Sequence, residues 1–474
     1  MTGGTPTAQM ARPRLPLLAV LLAAVASLEL TARFSDSRTI QEAAWLAMGA
    51  VLALSVRRLG LRELYLIGAS AVLSAIVALS QPDPTGILAG ALDQATFLMA
   101  FILLLGLLQA TAATSPSVEI MGEYLTRQPP GRRYYALNGG TAFLAILFNV
   151  SVISFLVPLI QQGIRRAAPG DALNPVREQR QISALLRGFA WSVTWSPTAF
   201  APLIVAELLP GVERSQWIGY GFGLFVILMI LGALEDRLKF RAYRPQGIRK
   251  LMVFPRGAAL RFAATTLWFL GLVVLFVRLF DETAVFGVLA ACPVMVVGWL
   301  AAQNGFPERA GLAALAPRLR EIVAVELPGS ANVAITLACS GYIGRAAAGL
   351  VPAAAVAETL GLEAMPDWVL LAAIPPFLCV VSLLALSPTM MAVFMGSFFA
   401  ELPVLPGDPT LIAFSISCGW ALSMTFSPFA TVVLIVSRAS GIAPRTLTWG
   451  WSLGFTLMAA LILVPLFYLL TGGT

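Results

Sequence analysis

The chain has 474 residues, 58% of them hydrophobic and only 12% charged, with a mean hydropathy of +0.84; soluble domains carry about 25% charged residues, so a water-soluble globular fold is excluded. The net charge of +7 does not signal nucleic acid, because the basic residues sit between apolar runs and form no basic, aromatic-interleaved helix face. No histidine occurs, which excludes histidine proton relays and histidine-ligated metal or haem. The four cysteines, Cys292, Cys339, Cys379 and Cys418, lie in or beside apolar runs without CxxC spacing and read as buried structural thiols.

Apolar stretches of about 20 residues recur along most of the chain, each able to cross a roughly 30 Å hydrocarbon core as a helix. The ~10-residue alternation of a porin-like barrel is not seen. The expected fold is an all-α polytopic membrane protein with eleven spans, at approximately 14–31, 43–57, 64–81, 91–112, 183–210, 215–234, 259–280, 283–302, 323–344, 410–437 and 446–471. The first follows Arg12 and Arg14, and Ala24-Val25-Ala26 before Ser27 weakly resembles a signal-peptide cleavage site. A first transmembrane helix is the preferred reading, because the rest of the chain is itself polytopic.

Two further apolar stretches, 135–163 and 368–400, are broken by polar residues near their middles and are expected to be re-entrant hairpins. Segment 115–133 is too polar to span and reads as an interfacial arm with a Pro-Gly turn; segment 345–367 takes the same place before the second hairpin. With the N-terminus inside and each hairpin entering and leaving on one face, 26 Lys/Arg fall inside and five outside: Arg33, Arg38, Arg214, Arg278 and Arg345. That asymmetry places the N-terminus in the cytoplasm and the C-terminus on the opposite side. The densest inside loop, 235–258, holds Arg237, Lys239, Arg241, Arg244, Arg249, Lys250 and Arg256. It separates a first half, 43–234, from a second, 259–474, with 1–42 preceding both.

The two halves match. GFAWSVTWSP at 188–197 returns 231 positions later as GWALSMTFSP at 419–428, with Gly, Ala, Ser, Thr, Ser and Pro identical. Downstream, Leu203-Ile204-Val205 pairs with Leu434-Ile435-Val436 at the same offset, and Gly211 and Gly441 close the two helices. Asn149 and Ser151 precede the first copy, and Ser387-Pro388-Thr389 precedes the second. Each half therefore reads span, span, span, arm, hairpin, broken helix, span. Halves with an odd number of full spans must point in opposite directions, which is the inverted repeat of secondary transporters. A Ser-x-Thr-x-Ser-Pro in mid-helix breaks the backbone ladder, since proline removes a donor and clashes with the preceding turn. The freed carbonyls and hydroxyls can then line a site at the membrane midplane, although Ser/Thr-Pro often does no more than kink a helix.

At these residues the chain resembles the ion transporter superfamily, and within it the divalent-anion:sodium symporters, over roughly residues 43–471. Those proteins carry Ser-Asn-Thr motifs at two hairpin tips, each followed some forty-odd residues later by an unwound helix. Phe148-Asn149-Val150-Ser151, followed by Leu156-Val157-Pro158-Leu159, is similar to the first tip, and Ser387-Pro388-Thr389 to the second. Ser196-Pro197-Thr198 and Ser427-Pro428-Phe429 are similar to the two breaks. Neither tip reads Ser-Asn-Thr: Phe148 and Ser151 replace the family's Ser and Thr at the first, and Pro388 replaces its Asn at the second. The resemblance implies a homodimer whose protomers each move a transport domain against a scaffold as an elevator, in a bacterial cytoplasmic (inner) membrane.

Asn149, Ser151, Ser196, Thr198, Ser387, Thr389 and Ser427, with carbonyls freed around Pro197, Pro388 and Pro428, could ligate sodium through hard oxygens. One such site would use Asn149, Ser151 and Ser196, the other Ser387, Thr389 and Ser427. An anion would meet half-helix N-termini and hydroxyl donors, for no Lys or Arg lies within either tip or break. Asp93 and Glu326, in the corresponding third spans, are the alternative proton-coupling acids, ahead of Glu29 and Glu207; Arg345 reads as a snorkelling span end. The expected activity is cation-coupled secondary transport of a small anion such as a carboxylate, with proton-coupled carriage or exchange of an inorganic ion as the alternative. An enzyme would need a catalytic constellation and an ATP motor a P-loop, and the sequence offers neither. A channel fits broken inverted repeats less well than alternating access does. The expected partners are the small anion and the bilayer, with no nucleic acid and no cofactor beyond Na+ as coupling ion.

Overall fold

The computed structural model describes residues 15–167, 169–243, 252–303, 309–362, 364–384 and 386–473. Arg12, Arg14, Arg244, Arg249 and Lys250 of the sequence reading lie outside them. The described residues form helices and turns, without strands. An opening helix, α1 (Leu17–Ser35), stands before both halves. The first half then runs α2 (Arg38–Ser55), α3 (Leu61–Ser80), α4 (Pro84–Ala113), α5 (Pro116–Thr126), α6 (Pro130–Phe148), α7 (Ser151–Ala167), α8 (Asn174–Ser192), α9 (Phe200–Leu208) and α10 (Arg214–Lys239). The second runs α11 (Arg256–Phe280), α12 (Ala284–Gln303), α13 (Arg309–Leu350), α14 (Ala353–Leu360), α15 (Asp367–Val381), α16 (Pro388–Ala400), α17 (Pro409–Phe426), α18 (Thr431–Ser440) and α19 (Leu453–Leu470). The order is the same twice: three long helices, a short arm, a helical pair, a broken pair and a last long helix.

Local chemistry sets several of these starts. Asp83, Ser387 and Asp408 each stand before a proline at the first helical position, where the missing N–H is an orphan anyway. Their side chains accept from the backbone N–H of Gly86 at 3.2 Å, of Met390 at 3.1 Å, and of Thr410 and Leu411 at 2.7 and 3.1 Å. Bonds from the Thr85 hydroxyl and the Gly86 N–H hold the Asp83 carboxyl below its usual range. Gly361 and Gly441 end α14 and α18 in the left-handed conformation.

Eleven segments among the described residues are long and apolar enough to cross a membrane. The set differs from the sequence reading at one place in each direction. The expected span 183–210 is not one of the eleven: α8 starts earlier, through the polar run Arg177-Glu178-Gln179-Arg180-Gln181, and α9 has only nine residues. In its stead stands 367–384, which the sequence reading took as a hairpin limb. The 15 residues of α15 rise about 22 Å, short of a roughly 30 Å core, so hydropathy alone overstates its reach. The span expected at 323–344 extends to the 42 residues of α13, with Pro317 and Pro328 inside it.

The long helices α4 and α13 pack along one another at the centre, and α8 packs on α17. Around them the contacts exchange between halves: α3 meets α13 as α12 meets α4, and α9 lies on α16 as α18 lies on α7. This reciprocity is what a pseudo-two-fold relation between the halves requires. Within each half the first hairpin limb lies on the broken helix, α6 on α8 and α15 on α17. The repeated glycine makes that approach possible. A Cβ at Gly188 would fall 2.2 Å from the Asn138 carbonyl oxygen, and one at Gly419 2.6 Å from Leu378 Cδ1. Side chains add to the same seams: Asn138 Nδ2 donates to the Ala184 carbonyl at 3.2 Å, and Ser415 Oγ to the Leu371 carbonyl at 2.6 Å.

Gly188→Ala therefore forces α6 away from α8 against rigid backbone, and overpacking of this kind removes about 1–3 kcal/mol. Gly419→Ala meets a movable leucine and should be milder. Thermal unfolding of the detergent-solubilised variants is expected to rank wild type above Gly419→Ala and Gly419→Ala above Gly188→Ala.

Candidate functional site

The first hairpin turns at Asn149 and Val150, between α6 and α7. Asn149 has φ 44° and ψ −132°, a conformation that strains a residue with a Cβ by about 1–3 kcal/mol and is retained mostly at functional positions. Its N–H caps α6 by donating to the Ala145 carbonyl at 2.8 Å. Its half-buried side chain makes no hydrogen bond among the described residues. Ser151 opens α7 and donates from Oγ to Oε1 of Gln109, on α4, at 2.6 Å.

The broken helix faces this turn. Between α8 and α9 the chain is unwound over 193–199, where Pro197 lies. Ser196 and Thr198 are buried there, their hydroxyls 3.3 Å apart. Thr198 Oγ1 donates to the Ile146 carbonyl of α6 at 2.5 Å. In a continuous helix that carbonyl would accept from the N–H of Val150; here a side chain from the broken helix takes it, and the Val150 N–H has no partner among the described residues.

The second half repeats the arrangement with other atoms. Ser382 starts a single 3₁₀ turn after α15, residue 385 lies outside the described residues, and Ser387 caps α16. Pro388 and the buried Thr389 form the first turn of α16. Ser387 Oγ donates to Ser340 Oγ of α13 at 3.1 Å. The second break, 427–430, is shorter and includes Pro428. Ser427 Oγ donates to the Ser382 carbonyl at 3.0 Å and accepts from the Phe429 N–H at 3.3 Å. Nearby, Leu378, Pro388, Met391, Ala392, Trp420 and Ser423 close around one another and leave no space for a water molecule.

The structure thus ties the hairpin of Asn149 and Ser151 to one break through the Ile146 carbonyl, and the hairpin of Ser387, Pro388 and Thr389 to the other through the Ser382 carbonyl, while Ser151 and Ser387 themselves bond Gln109 and Ser340. The sequence reading missed two participants, Gln109 and Ser340. They occupy the matching helices α4 and α13, and both are buried. The available signal was a glutamine inside the run FILLLGLLQA and a serine inside TLACSGY.

The acids are placed otherwise. Asp93 is 40% exposed and bound to Arg38 at 3.1 Å and to the Trp45 indole N–H at 3.0 Å. Glu326 is half-buried well inside α13, which begins at Arg309 rather than near Glu326, so it does not cap a first turn. Glu29 and Glu207, weighed separately in the sequence, converge on one guanidinium: Arg33 Nε lies 3.1 Å from Glu29 and Nη1 2.8 Å from Glu207. Gln41 Nε2 also donates to Glu29, at 2.9 Å, and to Thr96 Oγ1 at 2.9 Å. The Arg33 head sits 4.6 Å over the Phe97 ring. This polar network joins α1 to α9, the far half of the first broken helix. Arg345 lies 3.9 Å from Glu401.

No family model and no curated protein matches the chain. Among solved structures it is similar to the crystal structure of the Alcanivorax borkumensis YdaH transporter, reported for its unusual topology, with a TM-score of 0.55 and 14% identity over 87% of this chain and 98% of that one. At that identity the likeness is one of fold: a polytopic, all-helical architecture of the kind a membrane transporter uses. The likeness does not carry the narrower assignment to the divalent-anion:sodium symporters.

Removing Arg33 would leave Glu29, 1% exposed, without its counter-charge, and breaking a buried pair from one side removes about 3–5 kcal/mol. Arg33→Met should therefore lower the thermal midpoint markedly, and the double variant Glu29→Gln/Arg33→Met should recover part of the loss.

Proposed function

We propose that the chain is a secondary active transporter of a small anion, a carboxylate or similar oxyanion, coupled to a cation. One observation supports this above the others: two interrupted helices each reach across, through a hydroxyl beside the proline of the break, to the end of the first limb of a helical hairpin. Irregular backbone at membrane depth is tolerated only where protein or a water-lined cavity satisfies it, and paired discontinuous helices are where such carriers hold substrate and ion. The fold likeness to a transporter agrees with the assignment.

Sodium is the proposed coupling ion, on Asn149, Ser151 and Ser196 at one break and Ser387, Thr389 and Ser427 at the other. Hydroxyl, amide and carbonyl oxygens suit a hard cation, and the bound cation offsets the anion's charge where neither tip carries Lys or Arg. Alternating access would carry the hairpins and broken helices, α6–α9 and α15–α18, past α4 and α13 as an elevator. The chain is placed in a bacterial inner membrane as a homodimer, N-terminus cytoplasmic and C-terminus outside.

In proteoliposomes, Ser196→Ala and Ser427→Ala should each lower sodium-driven uptake at least tenfold, with little change in the yield of folded protein; full uptake by both would remove the ion site from the breaks. Orientation is tested separately. The native cysteines are buried, so an impermeant maleimide should read single cysteines at the exposed arm positions Glu119 and Glu358. Labelling of Glu119→Cys from the inside and Glu358→Cys from the outside is expected; labelling of both from one face would overturn the inverted arrangement.

A further inference from the structure

The two tips are equivalent in fold but not in chemistry. Each is met by a polar side chain from a long central helix: Gln109 of α4 at the first and Ser340 of α13 at the second. Gln109 is 6% exposed, and its amide nitrogen has no hydrogen-bond partner among the described residues although its oxygen accepts from Ser151. A buried donor left unpaired costs about 1–3 kcal/mol, and an amide NH₂ brings two protons that only an acceptor can use. Next to Ser151 in the chain are the Val150 N–H, without a partner among the described residues because α6 has ended at Phe148, and the amide of Asn149, held at the turn by a strained backbone. The first tip therefore gathers neutral N–H donors.

At the second tip the side chains meet through oxygen, and the backbone N–H groups of Met390 and Phe429 are already taken up by Ser387 and Ser427. Ser387 Oγ meets Ser340 Oγ, Ser427 Oγ meets the Ser382 carbonyl, and Thr389 is buried in the next turn. No side-chain N–H takes part among the described residues. Hydroxyls can turn their lone pairs to a cation, whereas an amide nitrogen offers it only protons.

Building on the transporter reading above, we infer that the halves divide the ligands: Gln109, with Asn149 and the Val150 N–H, receives the oxyanion of the substrate at the first tip, and Ser340, with Ser387 and Ser427, belongs to the cation site at the second. Gln109 is then a specificity-determining contact supplied by α4, outside the hairpin. Sodium ligation by Asn149 and Ser151 becomes subordinate to the anion, and the second tip is the place where sodium binds first.

The experiment measures thermal stabilisation of the purified full chain, which rises with occupancy of the native state. Sodium chloride is titrated against choline chloride, first alone and then with succinate, citrate or sulfate at fixed sodium. The variants are Gln109→Met, which keeps volume but cannot donate, Gln109→Glu, which keeps shape but repels an anion, and Ser340→Ala. Both Gln109 variants should keep the shift given by sodium alone, while the half-saturating concentration of the stabilising anion rises about tenfold or more. Ser340→Ala should lose most of the sodium-only shift. An unchanged anion response in Gln109→Met, or a sodium-only response strengthened in Gln109→Glu, would overturn the division while leaving the transporter reading intact. Should Gln109→Met fail to fold, Gln109→Glu decides alone. A wild type that neither sodium nor any of the three anions stabilises would instead count against the anion-carrier reading on which the division rests.

Discussion

Everything in this structure follows from one constraint: within hydrocarbon no water is available to satisfy an interrupted backbone, so each break must be repaired by protein. Both broken helices meet the requirement by reaching to the hairpin turn, Thr198 to the Ile146 carbonyl and Ser427 to the Ser382 carbonyl. A hairpin turn and an unwound helix that would each be costly alone become a single closed unit. Thr198, just after Pro197, and Ser427, just before Pro428, make those repairs at the C-terminal edge of the repeated decapeptide. Its glycine supplies the close approach that lets them form, since a side chain there would push the hairpin limb out of hydroxyl reach.

The two units are held to the rest by different forces. Apolar packing joins the halves where Phe200 of α9 meets Trp420 of α17. Charge dominates at the ends of the helices. Arg187, 3% exposed, pairs with Glu235 at 2.5 Å, donates to the Trp451 carbonyl at 3.2 Å and lies 4.3 Å over the Phe455 ring. Arg180 pairs with Asp236 at 2.6 Å. Basic residues that served the sequence reading as markers of the inner face are thus also the pins that fix α8 to α10 and α19. Arg33 does the same for α1 and α9 with two carboxylates at once.

Much of the architecture was legible in the sequence because it depends on properties read along a single segment. Apolar length located the long helices, a polar interruption located both hairpin turns, and a decapeptide returning in register located both breaks. The misplacements have one cause. The polar start of α8 is sheltered by α6 and α10, which no hydropathy window registers, and α15 is apolar enough to count as a span while being too short to act as one. Gln109 and Ser340 were passed over for the same reason: their meaning depends on Ser151 and Ser387, which lie far away in sequence and are brought near only by the packing of α4 and α13. Asp93, weighed as a proton-coupling acid, is met by Arg38 and Trp45 of α2, a pairing that helix periodicity does not encode.

What the repeat conserves and what it varies are separable. The glycine contact, the limb-on-helix packing and the hydroxyl repair recur, because the fold needs them twice. The identity of the repairing residue does not recur: the first half uses Thr198, after its proline, and the second uses Ser427, before its proline, where the residue matching Thr198 is Phe429. The first break is unwound over 193–199 and the second over only 427–430. On the proposed reading, in which the chain binds two species of opposite charge, two identical sites would gain nothing. Duplication supplies two equivalent scaffolds; divergence at Thr198 against Phe429, and at Gln109 against Ser340, gives each tip different donors and acceptors without disturbing the backbone repair that both share.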